Sequence, residues 1–367
     1  MKQILSITLV TGALLATACG GVQPEIDETD AGIGEDAALA VDAAPVVEPN
    51  IVFLTASASS ADLGGLAGAD ARCAAEAQSA GLPGTYVAWV STVDIDARDR
   101  LEGASGWVRP DGLPVASSID DLSLGRLLYP INMTAKGETT NGTVVWTGTN
   151  ANGRVDESGQ CGDWGDVGLR TNTTIGFTGS GPVQWTARGN VGCSRTGRLY
   201  CFGVDRQATL EPPVADGRVL FVSTATLSGA SGVTAFDALC TSEAEDAGLA
   251  GSYRALVARL KVAATNRFDL DGEPWFRPDG VKLFDVAADM ATSPLLAPIA
   301  VTATGAYTTG SVWTGSGSFG EASANDCIDW TDPGPSASTG TAEVLSFGAG
   351  GGLDVCSTQQ HIYCGQE

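Results

Sequence analysis

Histidine is almost missing from this 367-residue chain: His361 is the single one. An imidazole is the usual general base near neutral pH and the commonest nitrogen ligand of zinc. Its scarcity argues against hydrolysis of the serine–histidine type and against a histidine-built metal centre, and no Gly-x-Ser-x-Gly elbow occurs to reopen the first. Basic residues are few as well, 20 Lys and Arg against 43 Asp and Glu, for a net charge of −23. So acidic a chain is repelled by phosphate backbones and anionic headgroups, which argues against nucleic acid and bare anionic lipid as partners. Past the first 18 residues no apolar run approaches the roughly 20 residues that a membrane-spanning helix needs.

What the chain does have is a four-cysteine frame that occurs twice: Cys73, Cys161, Cys193, Cys201, then Cys240, Cys327, Cys356, Cys364. The gaps are 88, 32 and 8 residues in one copy and 87, 29 and 8 in the other. Trp107-Val-Arg-Pro-Asp-Gly112 returns as Trp275-Phe-Arg-Pro-Asp-Gly280, and Val145-Trp-Thr-Gly148 as Val312-Trp-Thr-Gly315. The repeat is about 150 residues, long enough to bury its own core and too long for a solenoid. Two domains on one string are expected, at 51–205 and 218–367, joined by a linker at 206–217.

Residues 1–18 begin Met1-Lys2 and continue in a short apolar run, the form of a secretory signal. The run ends Leu15-Ala-Thr-Ala-Cys19-Gly20 and resembles the lipobox of bacterial lipoproteins, which implies acylation of Cys19. Arithmetic agrees, because eight of the nine cysteines divide four per copy and Cys19 is the odd one. Residues 20–50 carry eight acidic side chains and no basic one among Ala, Gly and Pro, so 19–50 reads as a solvated tether.

Leu66, Ala69, Cys73, Ala77 and Ala80 follow one helical face, matched by Val233, Phe236, Cys240, Ala244 and Ala247. Gly81-Leu82 and Gly248-Leu249 supply the left-handed stop. The last cysteine of each copy sits in a short strand, Leu199-Tyr-Cys-Phe202 or Ile362-Tyr-Cys364, pointing at a core. Cys161, Cys193, Cys327 and Cys356 lie in loops of Gly, Ser, Asp and Asn. Pairing buried with buried and loop with loop selects one of three connectivities: Cys73 with Cys201 and Cys161 with Cys193, then Cys240 with Cys364 and Cys327 with Cys356. Alternating runs elsewhere and the Pro110-Asp-Gly112 turn signal complete an α+β class, antiparallel strands with few helices and long loops.

The run Gly68-Ala-Asp-Ala-Arg-Cys73, the helix end Gly81-Leu-Pro-Gly-Thr-Tyr86, Val145-Trp-Thr-Gly-Thr-Asn-Ala-Asn-Gly-Arg154 leading to Cys161-Gly-Asp-Trp164, and Cys193 eight residues before Cys201 together resemble endostatin, a collagen-derived domain of C-type-lectin-like fold. Both copies are more similar still to an uncharacterised bacterial domain family of that superfold found on exported lipoproteins. The resemblance spans nearly all of 51–204 and 218–367 and implies two tandem C-type-lectin-like domains with the nested disulfides. Endostatin's histidine-rich zinc site and arginine-rich heparin face do not carry over to a chain with one histidine and this charge. The Glu48-Pro-Asn50 tripeptide, like that of calcium lectins, precedes the first expected strand and reads as coincidence.

Candidate chemistry is sparse. His361 stands where the other copy has Arg198, and Gly315-Ser-Gly-Ser-Phe-Gly320 has no helix after it to hold a dinucleotide. Asp70/Asp237, Glu76/Glu243, Arg100/Arg267, Arg109/Arg277 and Asp111/Asp279 recur in both copies. So do Asp163 beside Trp164 and Asp329 beside Trp330, in the region where lectins of this superfold build their ligand site, and these four mark the candidate ligand loops. A carboxylate accepting loop N–H bonds is the plainer role for Asp163 and Asp329. Asp156, Glu157, Asp166, Glu321, Asp326 and Asp332 are oxygen ligands of the kind calcium takes, at spacings that match no calcium motif, so no cofactor is expected and calcium is the one alternative left open. The expectation is a non-enzymatic lipoprotein held by Cys19 in the outer membrane or at the cell surface, binding an extracellular protein or glycan. A structural envelope protein without a small ligand is the alternative, and an enzyme of unrecognised type a further one.

Overall fold

The last strand of each copy has both faces buried, and the rest of the copy is arranged around it. In the first copy Tyr200–Gly203 runs antiparallel between Asn50–Leu54 and Tyr86–Ala88, with Cys201 opposite both Phe53 and Ala88. Alternation sends Leu199 and Cys201 into one core, with Phe53, Trp146 and Trp164, and Tyr200 and Phe202 into another, with Trp89, Trp107 and Trp185. The sequence reading placed a core on one side only; the unbroken apolar run reflects two.

The structure, a computed structural model, describes residues 47–165, 172–323, 325–348 and 351–367. The signal segment, Cys19, most of the tether and Asp166 lie outside the described residues. The first sheet continues from Asn50–Leu54 to Trp107–Val108, a parallel pair, and on through the hairpin at Pro110-Asp-Gly112 to Pro114–Ala116. A second, antiparallel sheet joins Val144–Trp146, Asn172–Phe177 and Gly189–Gly192. The second copy repeats the plan, but its final strand, Gln359–Gln366, pairs with Arg218–Val222 and Tyr253–Ala255 and also, in parallel, with Ser311–Trp313, merging the sheets.

The expected helices form as Gly65–Ala80 and Val233–Asp246, burying Ala69, Cys73 and Ala77 in one and Val233, Phe236, Cys240 and Ala244 in the other. Both stop on a left-handed glycine, Gly81 at φ 71° and Gly248 at φ 73°. The next leucine closes each end, Leu82 N–H donating to Ala77 O and Leu249 N–H to Ala244 O. The architecture is α+β, mostly strands with few helices and several sheets. Its four disulfides are Cys73–Cys201, Cys161–Cys193, Cys240–Cys364 and Cys327–Cys356, the nested pairing. All eight sulfurs are in buried residues, so the loop cysteines differ from the others in backbone setting and not in exposure.

Two boundaries move. Asn50, assigned to the tether, is buried in the first strand, where its side-chain amide donates to Ser105 O and Arg206 O. Arg206 and Ala208, assigned to the linker, pack on the first copy, and Pro213 lies so close to Gly280 that a Cβ there would stand 2.0 Å from the Pro213 carbonyl oxygen. Nor are the copies separate beads. Tyr129 of the first copy sits in the core cluster of the second and its hydroxyl accepts Lys282 N–H at 2.9 Å. Tyr307 donates its hydroxyl to Leu127 O, Gly181 N–H donates to Glu343 O, and Ser180 bridges Val344 in antiparallel fashion.

Candidate functional site

The loop cysteine of each copy opens four consecutive residues in the left-handed helical region. Cys161, Gly162, Asp163 and Trp164 have φ of 54°, 62°, 51° and 66°. Cys327, Ile328, Asp329 and Trp330 have 55°, 53°, 56° and 63°. For residues with a Cβ this costs roughly 1–2 kcal/mol each, and such residues ordinarily occur singly. Only one of the eight is glycine. A full turn therefore persists because its ends are fastened: the cysteine by a disulfide, the tryptophan by burial and an indole hydrogen bond. Trp164 Nε1 donates to Ser91 O at 2.7 Å, and Trp330 Nε1 to Ala258 O at 3.0 Å.

Both indoles are wholly buried, at 0 % exposure. Trp164 and Trp330 thus offer no surface to a ligand, which corrects their place among the candidate contacts. Their burial also accounts for the other repeated motif. A Cβ on Gly148 would stand 2.8 Å from the Trp164 ring, and one on Gly315 would stand 2.9 Å from that of Trp330. Val-Trp-Thr-Gly and Cys-x-Asp-Trp are two halves of one packing arrangement, and Gly315 is explained without a dinucleotide.

With Cys and Trp turned inward, the turn presents its two middle residues outward. Asp163 is exposed and accepts Val93 N–H at 2.9 Å, the role the sequence suggests. Asp329 instead takes the guanidinium of Arg259 on both oxygens, at 2.8 and 2.6 Å, and that bond, with the carboxylate's charge, holds the Arg259 pKa above its ordinary value despite burial. Around each turn stand exposed apolar side chains: Val93 at 66 % and Ile95 in the first copy, Leu260 at 60 %, Val262 and Ile328 at 64 % in the second. Beside the first turn is a depression of about 410 Å³ bordered by Val93, Gln160, Asp163 and Asn172. Sequence reasoning missed Arg259 and these apolar tips, because Arg259 stands where the first copy has Thr92 and neither repeats as a motif.

The other recurring ionisable residues serve the scaffold. Asp70 accepts both bonds of Arg100 and the N–H of Ala88; Asp237 does the same for Arg267 and Ala255. Glu76 and Glu243 accept backbone N–H groups from the end of the opening strand region, Ala56 in one case and Thr224 and Ala225 in the other. Arg109 and Arg277, both buried, fork onto Asp111 and Asp279. Burial alone would raise the Asp111 pKa; the hydrogen bond and charge of Arg109 outweigh it and leave it below the ordinary value. Asp156 accepts from Ser158, Asp326 from Leu260 N–H and Ser323, and Asp332 from Gly334 N–H. Among the described residues no three His, Cys, Asp or Glu side chains gather as a metal site would require. His361, in the final strand opposite Val312, has Nδ1 2.7 Å from Ser223 O.

Compared with known proteins, the chain matches no family and none of the curated proteins.

Proposed function

We propose that the chain is an exported bacterial lipoprotein, acylated at Cys19, whose two C-type-lectin-like domains bind an extracellular protein or glycan through the loops around the left-handed turns. The observation that carries this reading is the turn itself. Strain of this size survives only where its surroundings over-determine it, and such strain clusters at binding and catalytic sites. Both copies keep it, and both use it to set a carboxylate beside exposed apolar tips on a crosslinked scaffold. Binding is favoured over catalysis because the recurring ionisable residues each have a structural partner, as given above.

The lectin-like reading draws support from a helix disulfide-linked to the terminal strand, a second bridge inside the first, and long irregular loops between. Four disulfides suit an oxidising compartment. No helix among the described residues is long and apolar enough to cross a membrane, so an acyl anchor would provide the hold on the bilayer.

The test is to probe glycan and extracellular-protein arrays with the full chain and with Val93→Asp and Leu260→Asp. A component bound by the parent and weakened about tenfold by either variant supports the reading, in line with truncation of a central apolar contact. An array with no bound component, or binding indifferent to both variants, overturns it. The anchor is tested separately: Cys19→Ser should leave the membrane fraction or remain uncleaved, and unchanged detergent partitioning would sink that part alone.

A further inference from the structure

We infer that the seam between the copies holds a second binding site, distinct from the loop sites, for a small organic acid with an apolar body. It is a cleft of about 310 Å³ that neither copy could form alone. Phe177, Ser180 and Arg188 come from the first copy; Pro294, Val344 and Leu345 come from the second. The size lies at the lower end of the range typical of small-molecule pockets.

Three observations set the ligand's chemistry. The walls are largely apolar, an aromatic ring facing aliphatic side chains, which asks for a hydrocarbon or aromatic body. The guanidinium of Arg188 lies 3.9 Å over the Phe177 ring and makes no ion pair among the described residues. Its stacked, planar fork faces the cleft wall without a carboxylate partner among the described residues and is suited to one supplied by a ligand. The hydroxyl of Ser180, in a residue 1 % exposed, has no hydrogen-bond partner and lines the same cleft. A buried hydroxyl left unpaired is costly, and a ligand oxygen placed between it and Arg188 would pair it.

Glu343, the buried acid on the seam, makes no ion pair with Arg188. It accepts Val183 N–H at 3.0 Å, Gln184 N–H at 3.3 Å and the Gln184 side-chain amide at 3.2 Å, so both of its oxygens are engaged, although the charge of Arg188 still acts on its carboxyl. Close approach is built into the backbone as well: Gly179 has φ 74°, and a Cβ there would stand 3.0 Å from a Leu345 methyl and 2.9 Å from Asn141 Oδ1. The copies meet at a glycine, which leaves the cleft open beside it.

The experiment uses the full chain and three probes in titration calorimetry with ligand-observed NMR: octanoate, indole-3-acetate and, as a cation of similar size, benzylamine. At least one acid should bind saturably below about 1 mM. Arg188→Gln should weaken it about tenfold and Ser180→Ala several-fold, in line with loss of a charge-assisted and a neutral hydrogen bond. Arg195→Gln, an exposed arginine outside the cleft, should leave binding unchanged. Melting curves of each variant check that the fold is intact, and Leu345→Trp, which fills the cleft, gives an independent block. The proposal is overturned if neither acid saturates by about 10 mM, if benzylamine binds as well as the acids, or if Arg188→Gln and Leu345→Trp both leave binding unchanged. Its failure leaves the loop sites untouched, since none of these residues borders them.

Discussion

In the first copy Asp163 takes one backbone N–H from Val93; in the second Asp329 holds Arg259 with both oxygens. Between the cysteine and that aspartate stands Gly162 in one turn and exposed Ile328 in the other. The inward residues do not vary: cysteine to disulfide, tryptophan to core, glycine beneath the indole. The copies are therefore alike where packing dictates and different where the turn meets solvent. The Arg259–Asp329 pair is 36 % and 25 % exposed, so it is worth at most about 1 kcal/mol. That is too little to explain the change as stabilisation, and it reads instead as a change in what the surface offers. If the turns bind ligands as proposed, the two copies should differ in ligand preference.

The largest effect comes from unfastening one copy. Replacing both members of Cys73–Cys201 by alanine should lower stability by about 2–5 kcal/mol, and Cys240–Cys364 by a similar amount. How the loss shows itself tests whether the copies are joined. Because Tyr129, Tyr307 and Glu343 tie one copy to the other, calorimetry of either variant should give one lowered transition. Two transitions, with the intact copy melting where it did before, would restore the picture of independent beads.

Local signals made much of this legible from sequence. The helices show because apolar residues recur at helical spacing and a glycine ends each one. The disulfide pairing followed from telling helix and strand cysteines apart from loop cysteines, although burial did not separate them. The left-handed turn was not legible: Ile328 is β-branched, a poor residue for φ 53°, and nothing nearby announces the conformation. Trp164 and Trp330 read as surface residues because their neighbours are polar, whereas their environment is set by Gly148 and Gly315, 16 and 15 residues earlier. The seam was hidden for a different reason. Its contact residues differ between copies even inside a shared run: Tyr129 in Leu127-Leu-Tyr-Pro130 answers to Ala297 in Leu295-Leu-Ala-Pro298, so comparing the repeats gives no sign of the seam.

A smaller effect sharpens the contrast between the turns. Ile328 packs on little and occupies a backbone region that disfavours it, so Ile328→Gly, which copies the first turn, should stabilise the second copy. The relief of about 1–2 kcal/mol is partly offset by the roughly 0.5–1 kcal/mol of added chain entropy in the unfolded state, for a net gain near 0.5–1 kcal/mol. Gly162→Ile should destabilise the first copy by a similar amount. Urea midpoints at an unchanged slope measure both, and a loss of stability in Ile328→Gly would mean that the isoleucine makes contacts the exposed position does not suggest.

The smallest effect concerns the seam, where the strand registers make Glu343 of the second copy the positional counterpart of Gly179 in the first. Glu343 is 7 % exposed, and burial raises its carboxyl pKa above the ordinary 4.5, although hydrogen bonds from Val183 and Gln184 and the charge of Arg188 act the other way. A carboxyl whose pKa is raised by folding contributes stability that is complete below the unfolded value and is lost as pH rises through the folded one. Asp111 and Asp156, whose pKa values are lowered, act in the opposite sense and only below about 3.8, outside this window. Glu343→Gln keeps an acceptor for Val183 N–H and removes the titration. The melting temperature of the parent should therefore fall relative to the variant as pH rises above the ordinary 4.5, with the two closest at the acid end. A difference that shrinks as pH rises would show that Glu343 is stabilised as the anion, its hydrogen bonds and Arg188 outweighing burial.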